Sequence, residues 1–185
     1  MTLAVTAGWA AFPRRVIGAA LLRPATYEDV EADPAATLQA LTVVVLSSAC
    51  AGLGMAGLSA RGAASVVPFS VLALALWAAW SLVALEIGVR VLPSAETRSD
   101  LGELLRTTGF ASGPGMIRIL GVVPAIAAPV LVISTIWMLA AMIVAIRQAL
   151  DYTTYRRAIA VCLLGWLFAA GFAVLFGLWF GPGLS

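Results

Sequence analysis

Long apolar runs, broken only by short clusters of charge, leave this chain few folds to choose from. Hydrophobic residues make up 62% of it and charged residues 11%, against about 45–50% and about 25% in soluble domains. A helix needs about 20 apolar residues to cross the hydrocarbon layer of a bilayer. The chain has 185 residues, room for about five such helices and too little for an added soluble domain. The expected fold is an all-α polytopic membrane protein, a bundle of five transmembrane helices with amphipathic cytoplasmic segments.

The expected organisation is a cytoplasmic amphipathic segment over residues 1–35, a five-helix membrane domain over 36–180, and an external tail over 181–185. The spans are placed at about 36–58, 65–92, 104–123, 130–148 and 158–180. The third and fourth rest on a length argument. Met116 to Ile146 is about 46 Å of helix at 1.5 Å per residue, too long for one crossing and too short for two. Pro124 and Pro129 mark a break between them, because proline removes a donor and clashes with the preceding turn. The third span must then begin near Leu104 to Phe110 and pass a kink at Gly113, Pro114 and Gly115. Breakers of this kind are tolerated where neighbouring helices satisfy the freed backbone groups.

Arginine sets the orientation. Arg14, Arg15, Arg23, Arg90, Arg98, Arg106, Arg147, Arg156 and Arg157 fall on one side of this arrangement, and only Arg61 falls in a loop on the other. By the positive-inside rule the N-terminus is cytoplasmic and the C-terminus external. Two segments flank the spans. Trp9, Phe12, Val16 and Leu21 recur at near-helical spacing beside Arg14 and Arg15. Leu101, Leu104, Leu105 and Thr108 form a stripe beside Arg106, after a helix start at Asp100 and Glu103. Both read as interfacial amphipathic helices. Arg14, Arg15, Arg106, Arg156 and Arg157 are therefore the expected contacts to lipid or to a partner.

Chemistry is hard to place. The chain has no histidine, the commonest general base and metal ligand. Cys50 and Cys162 sit within apolar runs and read as small core hydrophobes. No nucleotide loop, paired carboxylates or nucleophile with a base is found. No catalytic residue, cofactor, metal or nucleic-acid partner is expected. The apolar stretch after Arg14 and Arg15 is too short for a cleaved signal peptide. All 11 basic residues are arginine, which with the abundant alanine suggests a GC-rich, bacterial coding sequence and the inner membrane.

Three ionisable residues stand at membrane depth. Glu86 and Arg90 form an i, i+4 pair near the inner end of the second span. Arg118 falls inside the third span, where an arginine needs a partner; a freed carbonyl or lipid phosphate is expected rather than Glu86. Ser47, Ser48, Ser134 and Thr135 are expected to back-bond to helix carbonyls. Gly165, Ala169, Ala173 and Gly177 form a small-residue ladder suited to close helix packing, which leaves a homo-oligomer open.

Three stretches resemble the Yip-domain family, the Ypt/Rab-interacting proteins and their bacterial relatives. They are Leu21-Leu22-Arg23-Pro24-Ala25-Thr26-Tyr27-Glu28, Leu104 through Pro114, and Ile136-Trp137 through Asp151 with Arg157-Ala158. The resemblance implies five spans with a cytoplasmic N-terminus. Eukaryotic members bind Rab-type GTPases and act in vesicle traffic; the family's long acidic cytoplasmic N-terminal domain is not expected here, and fold likeness does not carry GTPase binding over. The expected function is a non-enzymatic scaffold or accessory protein of the inner membrane. It would bind another membrane protein or complex, or anionic membrane lipid, through its cytoplasmic face. The alternative is a small-solute or ion transporter built around Arg118 and the kinked third span.

Overall fold

The computed structural model describes residues 9–56, 60–94, 97 and 99–180. The tail 181–185, Arg98, and the side chains of Arg61, Ala169, Ala173 and Gly177 lie outside the described residues. All regular structure among the described residues is helical. The elements in order are α1 (Phe12–Ala20), α2 (Pro24–Ala32), α3 (Ala36–Ala56) and α4 (Ala60–Glu86) with a π-helical end (Ile87–Val91). There follow α5 (Leu101–Ala111), a 3-10 helix (Gly113–Val122), α6 (Pro124–Ala149) and α7 (Tyr155–Phe180).

Among the described residues three helices are long and apolar enough to cross a membrane: Ala36–Met55, Val66–Val91 and Pro124–Ala149. At 1.5 Å per residue, even the shortest reaches the roughly 30 Å of a hydrocarbon layer. Their lipid-ready faces are plain in Val67, Val71, Val132 and Ile136, all more than half exposed. Helix α7 has 26 residues.

The expected third span is not one α-helix. Helix α5 ends at Ala111, and from Gly113 the chain continues as a 3-10 helix of 10 residues. Such runs rarely exceed three or four residues. This one is held between α3 and α6, its chief packing partners. The expected kink residues Gly113, Pro114 and Gly115 are buried at its start. Nor does α5 lie open on the surface. Leu104, Arg106, Thr107, Thr108, Gly109, Phe110 and Ala111 are all buried. Its start does match the sequence: the Glu103 N–H donates to Asp100 Oδ1 at 2.9 Å, and the Asp100 N–H donates to Glu103 Oε2 at 3.0 Å.

The fourth span also begins earlier than expected. Pro124 occupies the first turn of α6 and Pro129 lies inside the helix. A proline in the first turn forfeits nothing, because its N–H would have no intrahelical partner. Pro129 forfeits one bond close to the helix end, which the helix absorbs.

The charges gather at one end of the bundle, where α1 and α2 form a hairpin. Leu22 (φ 58°) closes it. The N–H groups of Leu22 and Arg23 donate to the carbonyls of Ala19 and Gly18, a Schellman closure carried by leucine instead of glycine. The hairpin packs Ala19, Tyr27 and Val30 into one core cluster with Ala40, Val43, Phe110, Ala141 and Ala145. A second cluster joins Ala84, Leu104, Ile146, Leu150, Tyr152 and Val161 with Cys162. Both cysteines are free.

Candidate functional site

Two features emerge from the expected site residues: a clamp at the charged end and an arginine deep in the bundle. In the clamp, Arg15 is only 6% exposed. Its Nε donates to Asp29 Oδ2 at 2.9 Å, and its Nη1 donates to Asp33 Oδ2 at 2.8 Å and to Gln39 Oε1 at 3.3 Å. Asp29 and Asp33 stand four residues apart, so one face of α2 and its end present both carboxylates to one guanidinium. Arg106 is 8% exposed. Its Nε and Nη2 both donate to the Glu31 backbone carbonyl, at 3.0 and 2.6 Å. Neither arginine faces lipid. Arg15 is consumed in closing the hairpin and Arg106 in fastening it to the bundle, which corrects the expectation drawn from their place in the sequence. Helix α6 adds two more ties: Trp137 Nε1 donates to the Ala20 carbonyl at 2.6 Å, and Gln148 Nε2 donates to Glu28 Oε1 at 2.8 Å.

Arg14, Arg156 and Arg157 are exposed. Arg157 donates to the Pro93 carbonyl at 3.0 Å. Around the clamp, burial raises the Glu31 carboxyl to about 7; Glu103, Asp151 and Glu28 add to the rise and Arg106 opposes it. Arg15 is held above its ordinary value: burial lowers it, and hydrogen bonds to Asp29 and Asp33 outweigh that.

Glu86 and Arg90 form the expected pair, Arg90 Nε to Glu86 Oε2 at 2.8 Å, with both side chains substantially exposed. They sit at the π-helical end of α4, where the Tyr152 hydroxyl donates to the Leu92 carbonyl at 2.8 Å. Of the small-residue ladder, Gly165 is buried against the Trp80 indole, and a Cβ there would lie 2.6 Å from the ring.

Arg118 projects from the 3-10 helix toward α6. Its Nε donates to Ser134 Oγ at 2.9 Å and its Nη2 to Thr135 Oγ1 at 3.1 Å. Each hydroxyl in turn donates to the Leu131 carbonyl, at 3.0 and 2.8 Å. The expected back-bonding is present, and it has a consequence the sequence reading missed. With their hydrogens committed to Leu131, both hydroxyls offer only lone pairs to the guanidinium. The protein partners are hydroxyls, where a freed backbone carbonyl was one of the expectations. The readable signal was a pair of adjacent hydroxyls on the next apolar run. Among the described residues no carboxylate pairs with Arg118.

Arg118 lines three apolar cavities. The largest, about 640 Å³, lies between α3 and α4 and is lined by Val44, Met55, Leu72, Leu76 and Met138. A second of about 540 Å³ opens toward Pro124 and Leu131. A third of about 390 Å³ is bounded by Trp80, Met142 and Trp166. The 3-10 helix can pass so close to α3 because Gly54 has no Cβ; one built there would collide with the Arg118 backbone carbonyl.

No family model, no curated protein and no solved structure matches this chain. Among the described residues no three Cys, Asp or Glu side chains group as metal ligands would.

Proposed function

We propose that this chain is a five-crossing, multi-pass inner-membrane protein of the Yip-domain type, with a cytoplasmic N-terminus and an external C-terminus. Its third crossing is a composite of α5 and the 3-10 helix. At about 1.5 and 2.0 Å of rise per residue, the two together extend roughly 36 Å, enough for the hydrocarbon layer.

Its role is that of a non-enzymatic scaffold or accessory protein, which binds another membrane protein or anionic lipid through the cytoplasmic face. The observation that carries this reading is the clamp. Arg15 locks α1 to α2 through Asp29 and Asp33 and reaches Gln39 on α3, while Arg106 on α5 holds the hairpin to the bundle through the Glu31 carbonyl. A hairpin fixed in this way is a preformed surface, and ordering it costs nothing at the moment of binding. Arg14, Arg156 and Arg157 remain exposed on that side, each worth on the order of 1 kcal/mol toward an anionic membrane surface.

The test is mild detergent extraction of a tagged copy. A stoichiometric membrane-protein partner, or anionic lipid whose retention falls when Arg14, Arg156 and Arg157 are changed to glutamine, supports the reading. A protein that purifies alone, with lipid retention unchanged in the triple variant, removes it. Orientation is tested by reporters: one placed between Asp151 and Arg156 should read cytoplasmic, and one after Ser185 external.

The alternative, transport of a small solute or ion, is favoured by a single observation, that Arg118 lines three cavities. Flux in proteoliposomes that is lost in Arg118→Gln would establish it.

A further inference from the structure

We propose that the groove between α3 and α4 binds a long-chain carboxylate, with its head on Arg118 and its chain along Val44, Leu72 and Leu76. The inference depends on neither the scaffold reading nor the transport reading.

Charge is the first argument. Arg118 meets only neutral hydroxyls, so its positive charge is uncompensated among the described residues. Of the five N–H groups of a guanidinium, two are engaged. Nη1 and the second N–H of Nη2 are left, the fork that a planar carboxylate accepts bidentately. The hydroxyls of Ser134 and Thr135 hold the fork in place rather than competing for the anion, because their own hydrogens go to Leu131.

Shape is the second. The groove has about 640 Å³, within the range of roughly 300–1,000 Å³ typical of small-molecule sites. Its walls are almost wholly aliphatic, apart from Ser47, Ser48, Ser112 and the edge of Trp77. Met55 and Leu76, 83% and 60% exposed, form its open lip. Such walls suit an alkyl chain.

Depth selects the head. Ser134 lies ten residues past Pro124, about 15 Å along the α6 axis. A phospholipid phosphate is permanently charged and belongs with the headgroups. A carboxylic acid crosses hydrocarbon as the neutral form and ionises beside a cation, since an opposite charge within a few ångströms favours the charged state.

The experiment uses the full chain in dodecyl maltoside, with radiolabelled palmitate as probe and methyl palmitate and phosphatidylglycerol as competitors. Palmitate should bind saturably, and methyl palmitate should compete at least about tenfold less well. Arg118→Gln should weaken palmitate by about tenfold or more, and Arg118→Lys by less. Ala73→Trp, which fills the groove and leaves Arg118 untouched, should also weaken it. Carbon-13 NMR of carboxyl-labelled palmitate should show the bound acid ionising at lower pH than in empty detergent micelles. Equal competition by acid and ester overturns the proposal, as does displacement by phosphatidylglycerol more effective than by palmitate itself. So does wild-type palmitate binding in folded Arg118→Gln or Ala73→Trp. Should either variant fail to fold, the acid–ester comparison on the unaltered protein decides.

Discussion

Arg15 on α1 reaches Asp33, just past the end of α2, with Nη1 2.8 Å from Oδ2. It also reaches Asp29, with Nε 2.9 Å from Oδ2. The guanidinium is 7% exposed while the two carboxylates are 31% and 45% exposed. The energetic weight therefore rests on the arginine. Truncating a buried partner costs about 3–5 kcal/mol in other proteins. The half-open carboxylates here place Arg15→Gln at the low end, about 3 kcal/mol. Arg14→Gln, one residue away and exposed, should change stability by less than about 0.5 kcal/mol. Thermal unfolding of both variants in detergent decides, and equal melting temperatures would sink the clamp.

The Glu31 carboxyl gives the same end of the bundle a pH dependence. Burial raises it to about 7 from 4.5, helped by Glu103, Asp151 and Glu28 and opposed by Arg106. Below about pH 4.5 the group is neutral both folded and unfolded, and its contribution to stability is fully present. As pH rises toward 7 the unfolded chain ionises while the folded cap still holds the proton, so the contribution is lost across that window. Glu31→Gln should therefore flatten the fall in melting temperature between about pH 5 and pH 7. Parallel curves for the variant and the parent would show that Glu31 titrates normally.

Much of the bundle was legible in the sequence because hydrophobic runs report helix length directly. Among the described residues three helices are long and apolar enough to cross a membrane, and each overlaps one of those runs. The capping box at Asp100 and Glu103 was legible too, since both partners lie within one turn. What the sequence hid depends on distant residues. Arg15 looks like a lipid-facing charge until α2 folds back and brings Asp29 and Asp33 to it. The stripe on α5 looks interfacial because composition cannot say that α3 will cover it, with Ala40 packed against Gly109. The 3-10 helix is dictated by its neighbours rather than by local propensity. Arg118 stood out in the sequence as a charge in an apolar run. Its partners were hidden because a serine and a threonine in an apolar run satisfy their donors locally whether or not an arginine is near.

The passage of the 3-10 helix beside α3 can be tested at Gly54. A Cβ there would meet the Arg118 backbone carbonyl, which cannot swing aside as a flexible side chain would. Gly54→Ala should destabilise by about 1–3 kcal/mol, the usual cost of overpacking. Gly171 on α7 has nothing within 4 Å of its would-be Cβ. Gly171→Ala should be neutral or stabilising by up to about 1 kcal/mol, from helix propensity alone. A tolerated Gly54→Ala would mean that the two segments lie farther apart.

Two tryptophans on α4 make an internal comparison. Trp77 Nε1 donates to Thr108 Oγ1 at 3.1 Å, and Thr108 is shared with Ser81 at 2.8 Å. Trp80 Nε1 is buried with no partner among the described residues, although its ring packs on Gly165. Both rings fill space, so phenylalanine at either position keeps most of the packing and removes only the N–H and part of the ring. At position 77 the change leaves Thr108 short of a donor and should cost about 1 kcal/mol, the net worth of a typical hydrogen bond. At position 80 it removes a buried polar group that has already lost its water, and relief of that penalty, about 1–3 kcal/mol, offsets the smaller ring. Trp80→Phe should therefore melt at or above the parent temperature and Trp77→Phe below it. The order of the two melting temperatures is the readout, and the reverse order would mean that Trp80, not Trp77, ties α4 into the bundle.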